Sequence, residues 1–572
     1  MSVFKESVVN IAEICARQNV LNFIISPGSR SAPLTLAFVR HPALTCRAIV
    51  DERSAAFVAL GLAQQLERPV GLVCTSGTAT LNYGPAIAEA FYQRIPLLVF
   101  TADRPPEWID QNDNQTIPQH EMFSRLCRAS FEMPVDDAHA DTRWHAERII
   151  SEAIHKSMWP VCGPVHINVP LREPLYSKSG LEYTSPKIIS TTTSRQIFDH
   201  QQWEKLLSDW RSANRRLVVA GMQAPNPKLA EYLCLLQTAG DTAVVFDVAS
   251  NFHDALTLHH ADMILGTRDE NAGRELSPDL MISFGGPVVS KNMKLFLRKH
   301  KPKTHWHLDP AGACIDTFQS MTHLLPVAAE YFFEQLANSH FLPKKELGGS
   351  GSGKYTEIWT GHEQRARESF DGFLSGLPHC EFSAIHSVIS RLPRNSNLQL
   401  GNSGIVRFVS YLGLSETRGL AVNSNRGTSG IDGTLSTAVG AALATTKLTT
   451  AVIGDLAFFY DRNALWNSYV PANLRVVIIN NYGGGIFRLL DGPDSLPELA
   501  EFFAVEHHLT AERTAADHGL RYSRCESLGD LERQLPTFFA PQDRAAILEV
   551  HTDKRANTET FLKFKSIMKE RR

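Results

Sequence analysis

Short runs of β-branched and other apolar residues recur along the chain, separated by stretches whose apolar positions repeat every three to four residues. The alternation of the two periods predicts parallel α/β sheets, because a strand followed by a crossover helix returns as a parallel strand. Three blocks can be drawn. In the first, Asn22 to Ile25, Val70 to Cys74 and Pro96 to Phe100 each give way to a polar loop, SPGSRSAP, TSGTAT and TADRPPE. The second holds Arg216 to Ala220, Ala243 to Asp247, Leu280 to Phe284 and Thr304 to Leu308. The third holds Leu398 to Leu400, Thr450 to Ile453, Val476 to Ile479 and Ala546 to Val550. The expected divisions are residues 1–186, 195–340 and 380–572, with 341–379 as a linker and lead-in. Met1 to Gln18 mixes apolar positions with Lys5, Glu6, Glu13 and Arg17, which predicts an amphipathic helix rather than a secretory leader.

Composition narrows the class. A length of 572 residues is too great for one ordinary core, and 43% hydrophobic with 20% charged residues is the balance of a globular protein. Lys and Arg number 57 against 60 Asp and Glu, so the formal charge of -3 offers no general attraction to nucleic acid. The nine cysteines are scattered without a CxxC pair, which argues against a zinc site or disulfide framework. No run reaches the roughly 18 apolar residues of a membrane span, and a cytoplasmic location is expected. The basic end, KFKSIMKERR, is one short charge run and does not predict stable membrane insertion.

Two segments read as connections. KKELGGSGSGK has a linker's Gly and Ser content; Gly348 to Lys354 fits the spacing of a phosphate loop, but Tyr355 stands where a hydroxyl should meet magnesium and no strand precedes it. Ser190 to Ser194 is the second.

The chemistry concentrates in the third block. Ala451 to Ile453 lead into Gly454, Asp455 and Leu456, and VVIINNYGGGIF follows, with Asn481 26 residues after Asp455. That interval suits one crossover and a second parallel strand, so both side chains would stand at the carboxyl ends of neighbouring strands. A carboxylate, an amide oxygen and a nearby backbone carbonyl supply three hard oxygens for Mg²⁺, leaving room for two diphosphate oxygens and a water. Gly483, Gly484 and Gly485 permit close backbone approach. In the first block, Glu52 follows a strand-like run and opens an apolar helix. Taken alone it is an acid at a helix N-terminus.

The GDx and NN pattern resembles the diphosphate-binding motif of thiamine-diphosphate enzymes, with Leu456 where glycine is commoner. The loops SPGSRSAP, DER (51 to 53), TSGTA, TADRPPE, GNSxxxR (401 to 407) and SNRGTSGIDG (424 to 433) are similar to those of the 2-succinyl-5-enolpyruvyl-6-hydroxy-3-cyclohexene-1-carboxylate synthase family. The resemblance implies pyrimidine-binding, central and diphosphate-binding α/β domains in a homodimer or homotetramer with active sites at the dimer interface. It implies thiamine diphosphate with Mg²⁺ or Mn²⁺, decarboxylation of 2-oxoglutarate, and addition of the succinyl carbanion to isochorismate in menaquinone biosynthesis.

Glu52 would hydrogen-bond the aminopyrimidine, in a site dry enough to raise its pKa. Asp455, Asn481 and the Gly483 carbonyl would hold the metal, and Gly454, Leu456, Ser403 and Ile431 would contact the cofactor. Both substrates are dianions, which suits the planar fork of arginine. Ser403, Arg407 and Arg426 are assigned mainly to the 2-oxoglutarate side, and Asn402 to substrate binding. Ser29, Arg30, Arg104, Asn114, Gln115 and Lys291 are assigned to isochorismate, and Ile486, Phe487 and Leu490 to the walls of the reacting centre. The second block shows VVAGMQAPN instead of a GxGxxG after its first strand, so a structural middle domain reaching the site through Lys291 is expected. An acetolactate-synthase-like carboligase, a catalytically silent scaffold of the same fold and a phosphate-loop hydrolase remain as alternatives. The arginine-rich loops and the joint presence of Glu52, Asp455 and Asn481 weigh against them.

Overall fold

A computed structural model describes residues 5–176, 181–239, 242–267, 269–340, 354–414, 419–489 and 495–569. Three sheets follow one another along the chain, and every pair of neighbouring strands is parallel. The first comprises β1 (Asn22–Ile25), β2 (Thr45–Ala48), β3 (Val70–Cys74), β4 (Leu97–Asp103), β5 (Ser130–Glu132) and β6 (Pro164–Pro170), in the order β2-β1-β3-β4-β6-β5. The middle sheet comprises β7 (Arg216–Ala220), β8 (Thr242–Phe246), β9 (Leu280–Phe284), β10 (Thr304–Leu308) and β11 (His323–Leu325), ordered β11-β10-β9-β7-β8. The third comprises β12 (Asn397–Leu400), β13 (Ala421–Ser424), β14 (Thr449–Gly454), β15 (Leu474–Asn480), β16 (Arg521–Cys525) and β17 (Ala546–His551), ordered β13-β12-β14-β15-β17-β16. Helices cover both faces, which is why the central strands are apolar on both sides.

The strands that the hydrophobic pattern missed have a common cause. β2, β5, β11 and β16 are edge strands with exposed or half-buried positions, so one face carries no apolar signal. The short edge strand β13, AVNS, ends in two buried polar residues. β6 is fully buried, yet it reads as irregular because Pro164 and Pro170 bound it and His166 and Asn168 lie inside. Thr101 meets both inside the sheet: its hydroxyl lies 2.7 Å from His166 Nε2 and donates to Asn168 Oδ1 at 2.9 Å.

The first and third domains share a core. The helix Glu52–Leu66 lies along the helix Thr434–Leu443 so closely that a Cβ at Gly61 would sit 2.0 Å from the Thr437 carbonyl oxygen, and one at Gly440 2.1 Å from that of Val58. Phe57, Ala59, Leu435, Ala438 and Val439 fill the same cluster. This packing fixes the third sheet relative to the helix that Glu52 begins.

The segment expected to be a linker and lead-in contains the helix Lys354–Leu374. Tyr355, Trp359 and Ala366 pack with Leu217, Val219 and Met281 over one face of the middle sheet, and Phe370 and Phe373 continue into the core of the third domain. The Tyr355 hydroxyl donates to the Leu276 carbonyl at 2.7 Å, so this residue serves packing. The remainder of the phosphate-loop-like run, 348–353, lies outside the described residues. Ser190 to Ser194 is exposed and irregular. In the final helix, Lys554–Lys569, Phe561, Phe564 and Met568 turn into the third domain's core, so its apolar face is already covered. Among the described residues no helix is long and apolar enough to cross a membrane, and all nine cysteines are free.

Candidate functional site

β14 and β15 are neighbours with Gly454 opposite Ile479, so Asp455 and Asn481 emerge side by side at their carboxyl ends. Asp455 is 2% exposed and opens the helix Asp455–Asp461. Its Oδ2 accepts the Gly483 N–H at 2.9 Å and its Oδ1 accepts the Leu456 N–H at 2.6 Å. Asn481 Oδ1 accepts the same Gly483 N–H at 3.1 Å. The loop is held in this shape from below: buried Asn480 accepts the Tyr482 N–H at 3.0 Å and donates to Glu549 Oε1 at 2.7 Å. Tyr482 and Gly483 have φ of 64° and 152°, and a Cβ on Gly483 would lie 2.6 Å from the Ala504 carbonyl oxygen, so glycine is required there.

This geometry fits a hard cation. Two side-chain oxygens converge on one N–H, the Gly483 carbonyl lies in the same loop, and a Cβ on Gly454 would meet nothing within 4 Å, leaving open space beside Asp455. Among the described residues no group of three or more His, Cys, Asp or Glu can hold a metal. Beyond the Asp455 carboxylate, an ion here would therefore depend on amide and carbonyl oxygens and on ligand phosphate.

Two neighbours carried no motif signal. His507 Nε2 lies 3.4 Å from Asp455 Oδ2, brought there because Gly484 N–H bonds to the Ala504 carbonyl at 2.6 Å and folds the loop after Phe503 back. Glu381, at the first turn of the helix Glu381–Ile389, accepts a hydrogen bond from Asn481 Nδ2. Burial pushes its carboxyl up to about 7; the Asn481 bond opposes this and the Asp455 charge adds to it.

The loops after β12 and β13 meet beside this end. Asn402 Nδ2 donates to the Asn425 carbonyl at 2.6 Å, and Arg426 Nη1 donates to Asn402 Oδ1 at 3.2 Å. Arg407 donates to the carbonyl of Ser403, whose φ is 68°. Arg426 has its pKa lowered by burial and then by Arg407, so the two cations are neighbours. Lys294, absent from the sequence assignment, joins them: burial lowers its pKa first, with Arg426 and Arg407 contributing, and its Nζ donates to the Val288 carbonyl at 2.9 Å. Lys291 is exposed at the start of the helix Lys291–Lys299. Ile431, 37% exposed, is a surface side chain in its own chain and not core. Ile486 and Phe487 are half-buried in the turn Gly485–Arg488, with Phe487 5.8 Å from Phe503; Leu490 lies outside the described residues.

In the first domain Glu52 is half-buried, and burial raises its pKa, with the Asp51 charge adding to the effect. Asp51 caps the helix by accepting the Ser54 N–H at 3.0 Å and takes a second bond from Asn463 Nδ2 at 2.7 Å. Arg104 donates through Nε and Nη2 to the Asn114 carbonyl at 2.8 and 2.6 Å and pairs with Asp113 at 2.9 Å. Gln115, with φ 54°, packs beside Gly77. Ser29 is exposed, whereas Arg30 is 7% exposed and donates to the Leu171 carbonyl at 3.0 Å, so part of its donor set is already committed. Gln119, which no motif marked, ties the loops together: it accepts the Gly77 N–H at 2.8 Å and donates to the Ala102 carbonyl at 3.2 Å.

Two separate clusters result. Among the described residues no hydrogen bond or ion pair joins Glu52 to Asp455, Asn481 or Gly483, although the two domains touch through Arg53 and the Tyr460 carbonyl at 2.7 Å. On the same side of the first domain, Val50, Tyr460 and Tyr469 are exposed, Tyr460 bonded to Arg53 and the Tyr469 hydroxyl 3.4 Å from Ala48 N.

The family described as the thiamine pyrophosphate enzyme N-terminal TPP binding domain matches residues 9–122. The family described as the middle domain of thiamine pyrophosphate matches residues 179–348. A 2-succinyl-5-enolpyruvyl-6-hydroxy-3-cyclohexene-1-carboxylate synthase from Cytophaga hutchinsonii is 40% identical over 568 residues, covering 99% of each chain. Proteins of the same name from Desulfotalea psychrophila and Flavobacterium johnsoniae are 38% identical over 559 residues (96% of this chain, 98% of the relative) and 39% identical over 548 (95% of each).

Proposed function

The chain belongs to the 2-succinyl-5-enolpyruvyl-6-hydroxy-3-cyclohexene-1-carboxylate synthase family of thiamine-diphosphate enzymes, and from that premise we propose how its residues divide the work. The protein is a transferase that decarboxylates 2-oxoglutarate and joins the succinyl unit to isochorismate in menaquinone biosynthesis. Thiamine diphosphate, when bound, supplies the nucleophilic carbon that both steps need. Asp455, Asn481 and the Gly483 carbonyl hold Mg²⁺ or Mn²⁺ against its diphosphate, which the convergence of the two side-chain oxygens on one N–H supports best. Gly454, Leu456 and Ser403 line the cofactor and Ile431 supports it from the side. Glu52 holds a proton at the aminopyrimidine nitrogen, and its partial burial suits that task by favouring the neutral acid.

Arg407 and Arg426, with Asn402, Ser403 and the neighbouring Lys294, bind the distal carboxylate of 2-oxoglutarate, since three cations gather there beside one buried carboxylate, Asp247, and a guanidinium pairs well with a further one. Ser29, Arg30, Arg104, Asn114, Gln115 and Lys291 serve isochorismate, and Ile486, Phe487 and Leu490 exclude water. A homodimer, alone or paired into a tetramer, completes each site by setting Glu52 of one protomer against the Asp455 end of another. The exposed apolar residues around Glu52 support this assembly. The protein acts in the cytoplasm.

The direct assay combines protein, thiamine diphosphate, Mg²⁺, 2-oxoglutarate and isochorismate and follows carbon dioxide and product mass. Formation of the succinylated ring is expected. Equal turnover with pyruvate as donor would instead favour an acetolactate-synthase-like carboligase.

A further inference from the structure

The amide of Asn481 has two chemically opposite ends, and only the oxygen can serve a cation. Its orientation therefore decides whether the site works. Glu381 stands behind it, 7% exposed, with its own N–H held by Asn557 Oδ1 at 2.9 Å and Asn557 in turn donating to Thr552 Oγ1 at 3.0 Å. Glu381 Oε1 accepts from Asn481 Nδ2, while Asn481 Oδ1 accepts the Gly483 N–H that also reaches Asp455. Both ends of the amide thus agree on one orientation. Gly485 makes room for the contact, since a Cβ there would lie 2.5 Å from Asn481 Nδ2 and 3.4 Å from Glu381 Oε1. Among the described residues no Lys, Arg or His forms a salt bridge with Glu381, so an ion pair does not account for this buried carboxyl.

We propose that Glu381 is a positioning residue for the metal site, anchoring the Asn481 amide nitrogen so that its oxygen faces the cation bound by Asp455 and the Gly483 carbonyl. In this role Glu381 acts through Asn481 and is not itself a ligand of the cation. The inference rests on the reading of Asp455, Asn481 and Gly483 as the metal-binding set. Without the anchor only the Gly483 N–H, shared with Asp455, still orients the amide, and its NH₂ end would face the cation in part of the population.

The test is calorimetric titration of Mg²⁺ into the full-length protein at fixed, saturating thiamine diphosphate, with the metal-free circular dichroism spectrum as the control for folding. Glu381→Ala is expected to weaken Mg²⁺ affinity about 10- to 100-fold, the usual effect of losing a residue that orients a metal ligand. Glu381→Gln, whose side-chain oxygen still accepts the bond, should recover most of it, and it carries the test if the alanine variant fails to fold. In an Asn481→Ala background, Glu381→Ala should have no further effect, because the residue it acts through is gone. Wild-type affinity in Glu381→Ala, a Gln variant as impaired as the alanine one, or additive losses in the double variant would overturn the proposal. The Asp455→Ala variant separates the two levels. If it binds Mg²⁺ normally, the metal-site reading itself fails; if it binds weakly while Glu381→Ala does not, only the role of Glu381 is lost.

Discussion

The carboxyl end of the third sheet and the region around Glu52 differ in how complete they are. At the third sheet, Asp455, Asn480 and Asn481 are tied to backbone N–H groups and to buried carboxylates within the same domain. Around Glu52, by contrast, the acid is half-buried, among the described residues no hydrogen bond or ion pair joins it to Asp455, Asn481 or Gly483, and Val50 and Tyr460, the latter bonded to Arg53, are exposed. The first region is fixed within a lone chain, by hydrogen bonds among its own strands, loops and buried side chains. The second is left open in a lone chain, and the proposed dimer would complete it.

The sharpest break of that contrast is Glu52→Gln. The amide cannot exchange the proton, so carboligation should fall by roughly 100-fold or more, as for loss of a general acid or base. Much of the calorimetric affinity for thiamine diphosphate and Mg²⁺ should remain, since the proposed diphosphate and metal contacts belong to the third domain. Turnover close to wild type would remove Glu52 from the reaction.

Arg407→Ala should act on the donor. A charge-assisted pair is worth about 1.5 to 3 kcal/mol, so the kcat/KM for 2-oxoglutarate relative to pyruvate should drop roughly ten-fold to more than a hundred-fold. Single-turnover decarboxylation with each donor reads this ratio. Arg30→Ala should leave that half-reaction largely intact and weaken use of isochorismate. It should also lower thermal stability, because the Leu171 carbonyl loses its donor.

These regions were unequally legible in the sequence. The central strands, the crossover between Asp455 and Asn481, and the helix that Glu52 begins all follow from periodicity and spacing, which local chain geometry obeys. Glu381, Gln119, Lys294 and His507 did not emerge, because each reaches its position through tertiary packing. Glu381 comes from a helix 100 residues before Asn481 and carries no motif of its own. The edge strands were lost for want of an apolar face, and the helix Lys354–Leu374 because a Gly- and Ser-rich run precedes it.

The smallest expected effect concerns the shared core, not the chemistry. Asp461 is fully buried, accepts the Ser436 N–H and hydroxyl at 2.7 Å each, and burial pushes its carboxyl up to about 7 from an ordinary 3.8. Because the folded pKa is raised, the stability from the neutral acid is fully present below about pH 4 and is lost as pH rises to about 7. Asp461→Asn keeps a neutral partner for Ser436 and escapes this loss. Its melting temperature should match wild type near pH 4 and exceed it by roughly 2 °C or more at pH 8. Parallel pH profiles for the two proteins would show that the carboxyl does not titrate in this window.

The central claim, that each chain carries two half-sites completed by a partner, is tested most directly by mixing two inactive variants. Glu52→Gln and Asp455→Ala proteins, dissociated and reassociated together, should form mixed dimers in which one of two sites pairs an intact Glu52 with an intact Asp455. Random pairing should restore about a quarter of wild-type activity from parents that have almost none. No recovery, with mixed dimers demonstrated by mass, would mean that each chain completes its own site and would contradict the account.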